Sequence, residues 1–429
     1  MGRTIGSTAL RTWDIETTQW NKFVMGCIYD GITTSHFSCP KGLLAKMVKL
    51  GGVFYAHFGG GFDNLFLYEE LKGYKLKIRN IKGRTIRISV YYPNSNRLLF
   101  QLRDSYPMLP SSLKALCRSF GTLQKIDVDR TQIGALSTKE LKAYVSRDCI
   151  ALYQILQKAG EQFGRHPNQW RLTIASDSKK EWSKLHTSRN HLVNADMDKI
   201  FRQAYAGGRV EVYRRQGKDL FHYDVRSMYP AVMDREEYPT GLYIHTRTFE
   251  EGKLGIYRAI VHAPEQEYPF LHAYDTDGKL IFPVGTWEGW YTSAELVYAR
   301  ELGYRITTVE GYFFTGTMRP FKEYIAKWYT IKDQASQEGN DALKYIAKLR
   351  LNSLYGKFGQ GRTFGHLVQY EHLGLLLQTA TVQQVIPELK LAVVEEETTN
   401  PFTEVHVAAF ITAYARIKLH RHMMEAVSL

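Results

Sequence analysis

Four cysteines are all this chain has, and Cys27, Cys39, Cys117 and Cys149 include no C-x-x-C pair. Neither a disulfide framework nor a zinc site is therefore expected. Long apolar runs are missing too. No stretch approaches the roughly 18 residues of a membrane span, and the N-terminus lacks a basic segment followed by an apolar run. No membrane partner is expected, and a reducing, cytoplasmic compartment fits best. Internal repeats and low-complexity segments are absent. Acidic charge is in deficit: 56 Lys and Arg stand against 43 Asp and Glu, a formal net charge of +13. That excess points to a polyanionic partner, nucleic acid first, against the simpler alternative of a generally basic surface.

What is present is enough for two or three domains, since the chain has 429 residues and an ordinary 44% apolar content. Tyrosine is frequent, with 28 copies; most are expected as core or surface filler, a few as base-stacking groups. The first ~160 residues mix short strand-like runs (KFVMGCIYDG, GGVFYAHFGG, IRISVYYP, NRLLFQLRDS) with a helical segment, TKELKAYVSRDCIALYQILQKAG. The pattern predicts α/β and α+β organisation. A polar stretch near 175–192 is a candidate boundary, and 318–357 reads as helix broken near Gly339 and Asn340. Residues 359–403 are strand-prone, and a closing helix follows.

Four carboxylates and a tyrosine form a first constellation. Asp14 and Glu16 lie two apart in WDIETT, so on a strand both face the same way. Asp63 follows three glycines in GGGFDNLF. Tyr144 and Asp148, four apart, share one helix face. Oxygen ligands from separate elements suit paired Mg²⁺ or Mn²⁺ ions, which can act on a phosphodiester. Each piece alone is commonplace on a solvent-facing strand or helix; the ordered set carries the weight.

A second constellation lies further on. YDVRSMYPAVM places Asp224 after a hydrophobic run, followed by Tyr229. KLRLNSLYGKFGQ places Lys348, Asn352, Tyr355 and Gly356 on one predicted helix face. Nucleotidyl transfer needs an Asp for metal, a cation for the triphosphate and a planar surface for the nascent base pair. Taken singly, an amphipathic helix with a solvated lysine explains the second stretch equally well.

The first set resembles the three motifs of proofreading 3′→5′ exonucleases with a ribonuclease-H-like fold. The second closely resembles motifs A and B of family B DNA polymerases. YAGG (Tyr205, Gly207, Gly208), RDSYPMLPSSLKAL, KIDV (Lys125 to Val128) and KWYTIKD resemble elements of the protein-primed branch, found in phages and linear plasmids. The resemblance runs from Asp14 to about Arg416. It implies Asp14, Glu16, Asp63, Asp148 and Asp224 as metal ligands, with two Mg²⁺ or Mn²⁺ ions per active site. Tyr144 is implied as the group that orients a water. Tyr229, Lys332, Lys348, Asn352 and Tyr355 are implied for dNTP binding, Tyr229 as a gate against the 2′-OH. Thr17, Ser105, Tyr205, Gly207 and Gly208 are implied for DNA binding. One departure stands out: the family commonly has an Asn shortly before the middle Asp, and here Phe58 or Gly59 fills that neighbourhood.

The implied layout is an exonuclease domain (1–190) followed by an incomplete right-hand polymerase domain of palm and fingers, without a thumb. The palm begins at 191–260 with motif A. Insertions at 261–325 and 361–405 resemble the two terminal-protein regions, and 326–360 would be fingers. Residues 406–429 would be a palm helix ending before motif C. Asp275-Thr276-Asp277 mimics motif C but precedes motif B, and DTDGK reads as a turn between two strands. Trp287 and Trp290 are expected to pack rather than stack on bases. The expectation is therefore a family B DNA polymerase with 3′→5′ proofreading, the N-terminal part of a split or truncated enzyme that needs a second polypeptide for motif C and thumb, with DNA, dNTPs and a terminal protein as partners. If phage-encoded, its compartment is the host cytoplasm. An autonomous exonuclease and a non-catalytic DNA- or priming-protein-binding fragment are the alternatives. The apolar helix 409–429 is expected to expose a sticky face.

Overall fold

The computed structural model describes residues 9–427, apart from 82–83, 187–193, 214, 219–220, 361, 370–379, 387–390 and 399–403. The chain forms two compact units. One comprises Met1–Asp177, Gln334–Ile346 and Thr363–Thr398, the other Ser178–Asp333, Ala347–Arg362 and Thr399–Leu429. The first boundary thus falls earlier than the expected residue 190, inside the helix Ile174–Leu185.

The first unit is built on a seven-stranded sheet. Its strands are β1 (Leu10–Thr18), β2 (Lys22–Tyr29), β3 (Thr34–Phe37), β4 (Gly52–Ala56), β5 (Lys75–Ile81), β6 (Arg84–Tyr91) and β7 (Leu98–Asp104), in the order β3-β2-β1-β4-β7-β6-β5. β1, β4 and β7 run parallel, and the outer pairings are antiparallel. Side chains alternate between faces. Trp13 and Ile15 join a core with Leu43, Met47, Phe54, Phe100 and Leu102. Leu43 and Met47 come from α1 (Pro40–Leu50), which opens with a proline where its missing N–H costs nothing. Burial of each such side chain contributes about 1.5–3 kcal/mol. The alternate residues Thr12, Asp14 and Glu16 therefore face the other side. There α2 (Leu113–Ser119) is followed by α3 (Thr138–Gln162).

The second unit carries β8 (Tyr238–Thr246), β9 (Gly255–Ala263), β12 (Gly285–Thr292) and β13 (Arg305–Met318) in an antiparallel sheet of order β12-β9-β13-β8. The expected boundary at 260/261 would cut β9, so the sheet belongs to one continuous segment. Between β9 and β12 lies the hairpin β10 (Ala273–Tyr274) and β11 (Leu280–Ile281). Its turn is the DTDGK stretch. Asp275 Oδ1 accepts from the N–H groups of Asp277 (3.0 Å) and Lys279 (2.8 Å), and Gly278 has φ 74°. The carboxylate is spent on its own turn. Trp287 donates to Tyr291 Oη at 2.6 Å and packs on the sheet core, as expected for a packing residue.

The helical segment is broken where anticipated, between Lys322–Gln337 and Asp341–Ser353, with Gly339 at φ 67°. The helix ends at Ser353, however. Lys348 and Asn352 lie on it, whereas Tyr355 and Gly356 lie beyond, leading into the short helix Gly356–Gly359. The four therefore do not share one helix face. Part of 361–405 forms a sheet of β14 (Arg362–Gln369), β15 (Ala380–Ile386) and β16 (Leu391–Thr398), ordered β14-β16-β15; 361, 370–379, 387–390 and 399–403 lie outside the described residues.

The closing helix Val405–Val427 corrects another expectation. Its residues are buried through most of Val405–His420, against the helices Ala195–Arg202, Met228–Arg235 and Ser293–Glu301. The apolar face anticipated as sticky is thus already covered. Exposed apolar side chains are found before motif A, where Val210 is 83% exposed, Val212 78%, Phe221 84% and Tyr223 79%, and elsewhere at Ile32, Trp20 and Leu242. Among the described residues no helix is long and apolar enough to cross a membrane.

Candidate active site

The carboxylates converge in the first unit. Oxygens of Asp14, Glu16 and Asp148 lie within 4.8 Å of one another. β1 supplies the first two from its α3-facing side, and a bulge between Glu16 and Thr17 ends the regular register directly after them. Thr17 itself is half-buried. The phase of α3 is set at its start by a capping box, Ser137 with Glu140, worth about 1 kcal/mol. Met25, Cys27, Leu141, Val145 and Cys149 then seal the helix onto β2. Thr12 Oγ1 donates to the Cys149 carbonyl at 2.7 Å, tying the turn that carries Asp148 to the strand that carries Asp14.

Asp63 opens a 3₁₀ turn, Asp63–Leu67, after the glycine run. That loop hangs from Asp104, a residue the sequence did not single out. Its carboxylate accepts from Phe58 N (3.1 Å), Gly60 N (3.2 Å), Tyr106 N (2.9 Å) and Arg84 Nε (2.9 Å). Asp104 ends β7 in RDSYP, and that position, beside the strand end that meets the loop, was the available signal. Phe58 adopts φ 71°, rare for a bulky residue, and packs on Tyr106 with ring centroids 3.9 Å apart and the rings tilted by 40°, the Arg84 guanidinium 4.4 Å from its ring centre.

Burial, then the charges of Asp63, Glu16 and Asp148, push the Asp14 carboxyl well above the ordinary carboxylate range; Lys125 opposes them. Lys125 pairs with Asp148 and lies 5.2 Å from the centre of the Tyr144 ring. Burial lowers the Lys125 ammonium, but Asp148 and Asp14 outweigh it and raise it. Burial also raises the Tyr144 phenol. An all-oxygen, anionic donor set from three elements fits hard divalent cations such as Mg²⁺ or Mn²⁺. Ser105 does not fit its expected DNA-binding role. It is fully buried, and its hydroxyl is engaged by the Ala56 carbonyl (3.0 Å) and the His57 ring (2.9 Å).

In the second unit the structure gathers aromatic and glycine residues rather than acids. Tyr229 stacks on Tyr355 with ring centroids 4.2 Å apart and 11° from parallel. Gly208 adjoins them; a Cβ there would stand 2.9 Å from Tyr229 Oη. Tyr205 packs on Gly359, and Arg416 donates to the Ala206 and Gly207 carbonyls at 2.7 Å each. Arg416 is itself held by Glu295 at 2.6 Å. Ser227, at φ 54°, turns the chain into the helix Met228–Arg235, and Lys332 Nζ donates to its hydroxyl at 3.1 Å. Lys348 is exposed and Asn352 half-buried. Asp224 is exposed, and among the described residues it joins no group of metal-ligating side chains. The sequence also gave no notice of Glu181, whose carboxylate accepts from Arg350 Nη1 (3.1 Å) and Trp328 Nε1 (3.2 Å) and thereby joins the two central helices of this region.

The fold is that of a B-family DNA polymerase. Over 96% of this chain and 77% of the other, it matches phi29 DNA polymerase complexed with primer-template DNA and incoming nucleotides, with a TM-score of 0.76 at 23% identity. The profile of DNA polymerase type B, organellar and viral, matches residues 131–384, and the chain belongs to that family. A probable DNA polymerase of Ascobolus immersus is 28% identical over 449 residues, which cover 89% of this chain and 37% of that protein. The DNA polymerase of Bacillus phage phi29 is 28% identical over 77% of this chain and 58% of its own length. The chain thus spans little more than a third of the fungal relative.

Proposed function

We propose that the chain carries the 3′→5′ proofreading exonuclease and the nucleotide-binding side of a protein-primed DNA polymerase. The convergence of Asp14, Glu16 and Asp148 beside Asp63 carries this reading. In this proposal the first unit is a ribonuclease-H-like exonuclease domain, and the second contributes palm and fingers. Asp14, Glu16, Asp63 and Asp148 would hold two Mg²⁺ or Mn²⁺ ions. Bound there, such ions would activate a water and stabilise the leaving oxygen of a phosphodiester. Lys125 holds the Asp148 carboxylate in place and keeps its proton at Nζ. Tyr144 Oη, kept protonated by burial, is the hydroxyl that would orient the water.

On the nucleotide side, the paired rings of Tyr229 and Tyr355 offer a flat wall for a base and a steric limit at the sugar. Lys332 and Lys348 supply cations for a triphosphate, with Asn352 beside them and Asp224 as a metal ligand. Tyr205, Gly207 and Gly208 would guide the DNA. The exposed apolar side chains of Val210, Val212, Phe221 and Tyr223 support docking of a further strand, from a second polypeptide or from further sequence. The sheets within 261–325 and 361–405 would engage a terminal protein.

The test uses a 5′-labelled single strand and a primer–template, with Mg²⁺ and all four dNTPs. Stepwise shortening from the 3′ end is expected, lost in Asp14→Ala/Asp63→Ala and in EDTA. Degradation at an unchanged rate by that variant would eliminate the exonuclease reading.

A further inference from the structure

A row of like charge crosses three strands of the seven-stranded sheet. Arg79 on β5 stands opposite Arg87 on β6, and Arg87 stands opposite Arg103 on β7. Directly opposed residues share a face, and like charges so placed destabilise a sheet. Lys75 and Lys77 precede Arg79 at period two and share its face; all three are exposed. Residues 75–104 hold eight Lys or Arg and one carboxylate, Asp104. That carboxylate is buried and, by the alternation of β7, belongs to the opposite face, where it holds Arg84 and the glycine loop.

The same rung continues inward to Tyr55 on β4. There it is roofed, because Tyr55 Oη donates to the Pro167 carbonyl at 2.9 Å. Outward from β7 exposure rises along the rung: Arg103 and Arg87 are half-buried and Arg79 is exposed, while Gln101 and Ser89 on the same face are buried. Arg103 is fixed by neutral partners: Gln101 Oε1 at 2.9 Å, Tyr55 Oη at 3.2 Å and the Asn168 carbonyl at 3.2 Å. Asp177, the acid near Tyr55, is already held by Arg165 at 3.0 Å. Burial, then the charges of Arg103 and Arg79, lower the Arg87 guanidinium, and the Tyr91 phenol opposes them. A cation row of this kind, with no ion-pair partner among the described residues, costs the fold stability and is complementary to a phosphate chain.

We propose that this basic face of β5, β6 and β7 is a track for the backbone of single-stranded nucleic acid, with the exposed Lys77 and Arg79 and the half-buried Arg87 and Arg103 contacting phosphates. The width favours one strand over a duplex: the row spans two interstrand spacings, about 10 Å. Tyr91, with Lys77 Nζ 5.5 Å from its ring centre, adds a stacking surface beside the row. The inference takes the class of its partner from the proposed action on DNA, but its test does not depend on hydrolysis.

The full chain is titrated with a fluorescent oligo-dT in EDTA, across a KCl series. Lys77→Gln/Arg79→Gln/Arg87→Gln is expected to bind at least tenfold more weakly at low salt. Its slope of log K against log salt should fall by about 2, three contacts at roughly 0.7 each. Arg79→Lys/Arg87→Lys should keep most of the slope. Relief of repulsion means the Gln variant should melt no lower than the parent at low salt, which separates lost binding from lost folding. Unchanged affinity and slope in the Gln variant overturn the proposal. So does a variant that loses binding to anionic vesicles while keeping oligo-dT, or one that loses only duplex binding. Failure to cut the oligonucleotide in Mg²⁺ would instead count against the exonuclease and leave the salt slope readable.

Discussion

Gly60 packs so closely on Thr85 that a Cβ built on the glycine would overlap the Thr85 backbone carbonyl oxygen. The Gly60 N–H meanwhile donates to Asp104 at 3.2 Å, so the loop is held from two sides. Gly60→Ala must shift backbone, and Asp63 begins three residues later. We expect a loss of about 1–3 kcal/mol in unfolding free energy and a larger proportional loss of exonuclease activity. Gly61→Ala, whose Cβ would come no closer than 3.7 Å to any neighbour, is the control and should be mild. Urea unfolding and strand-shortening rates on both variants check this.

Divalent cations should stabilise the folded chain through the acid cluster. At a concentration 100 times its dissociation constant, a bound ion adds about 2.7 kcal/mol. We therefore expect Mn²⁺ to raise the melting temperature of the parent and to leave that of Asp14→Ala/Asp63→Ala nearly unchanged. Melting curves with and without Mn²⁺ decide it; an equal rise in both would place the ion elsewhere.

Lys125 joins Asp148 and Tyr144 at one point. Lys125→Met should keep single-strand binding and lower hydrolysis by about 10²–10³-fold, the size typical of removing one charge-stabilising donor. The measurement is single-turnover cleavage at saturating enzyme. Parent-like cleavage would show that Lys125 serves only to satisfy a buried carboxylate.

His406 is buried against Phe314, ring centroids 5.0 Å apart, and burial followed by the charge of Lys179 lowers its imidazole to about 3. The unfolded chain takes up that proton near pH 6.5. Stability from this group is therefore complete above pH ~6.5 and is lost as pH falls from there toward about 3. His406→Phe should keep the stacked ring and remove this dependence. Relative to the variant, the parent should lose about 3 kcal/mol between pH 7.5 and 4.5, read from urea midpoints at the two values.

The sequence by itself determined much of the chemistry. Period two placed Asp14 and Glu16 on one side of β1, period 3.6 placed Tyr144 and Asp148 on one side of α3, and the DTDGK turn was legible because Asx and Gly dictate it locally. These are short-range consequences of backbone geometry. β3 and β5 were not anticipated, since both are edge strands whose pairing comes from neighbours rather than from their own pattern. Tertiary structure alone decided which carboxylates meet, that Asp104 suspends the Asp63 loop, that Ser105 is sealed inside, and that Arg79, Arg87 and Arg103 form a row. It also decided that the closing helix is covered while Val210, Val212, Phe221 and Tyr223 are left exposed. Each depends on register or packing between segments far apart in the chain, and a linear pattern carries no record of which partner a face will meet.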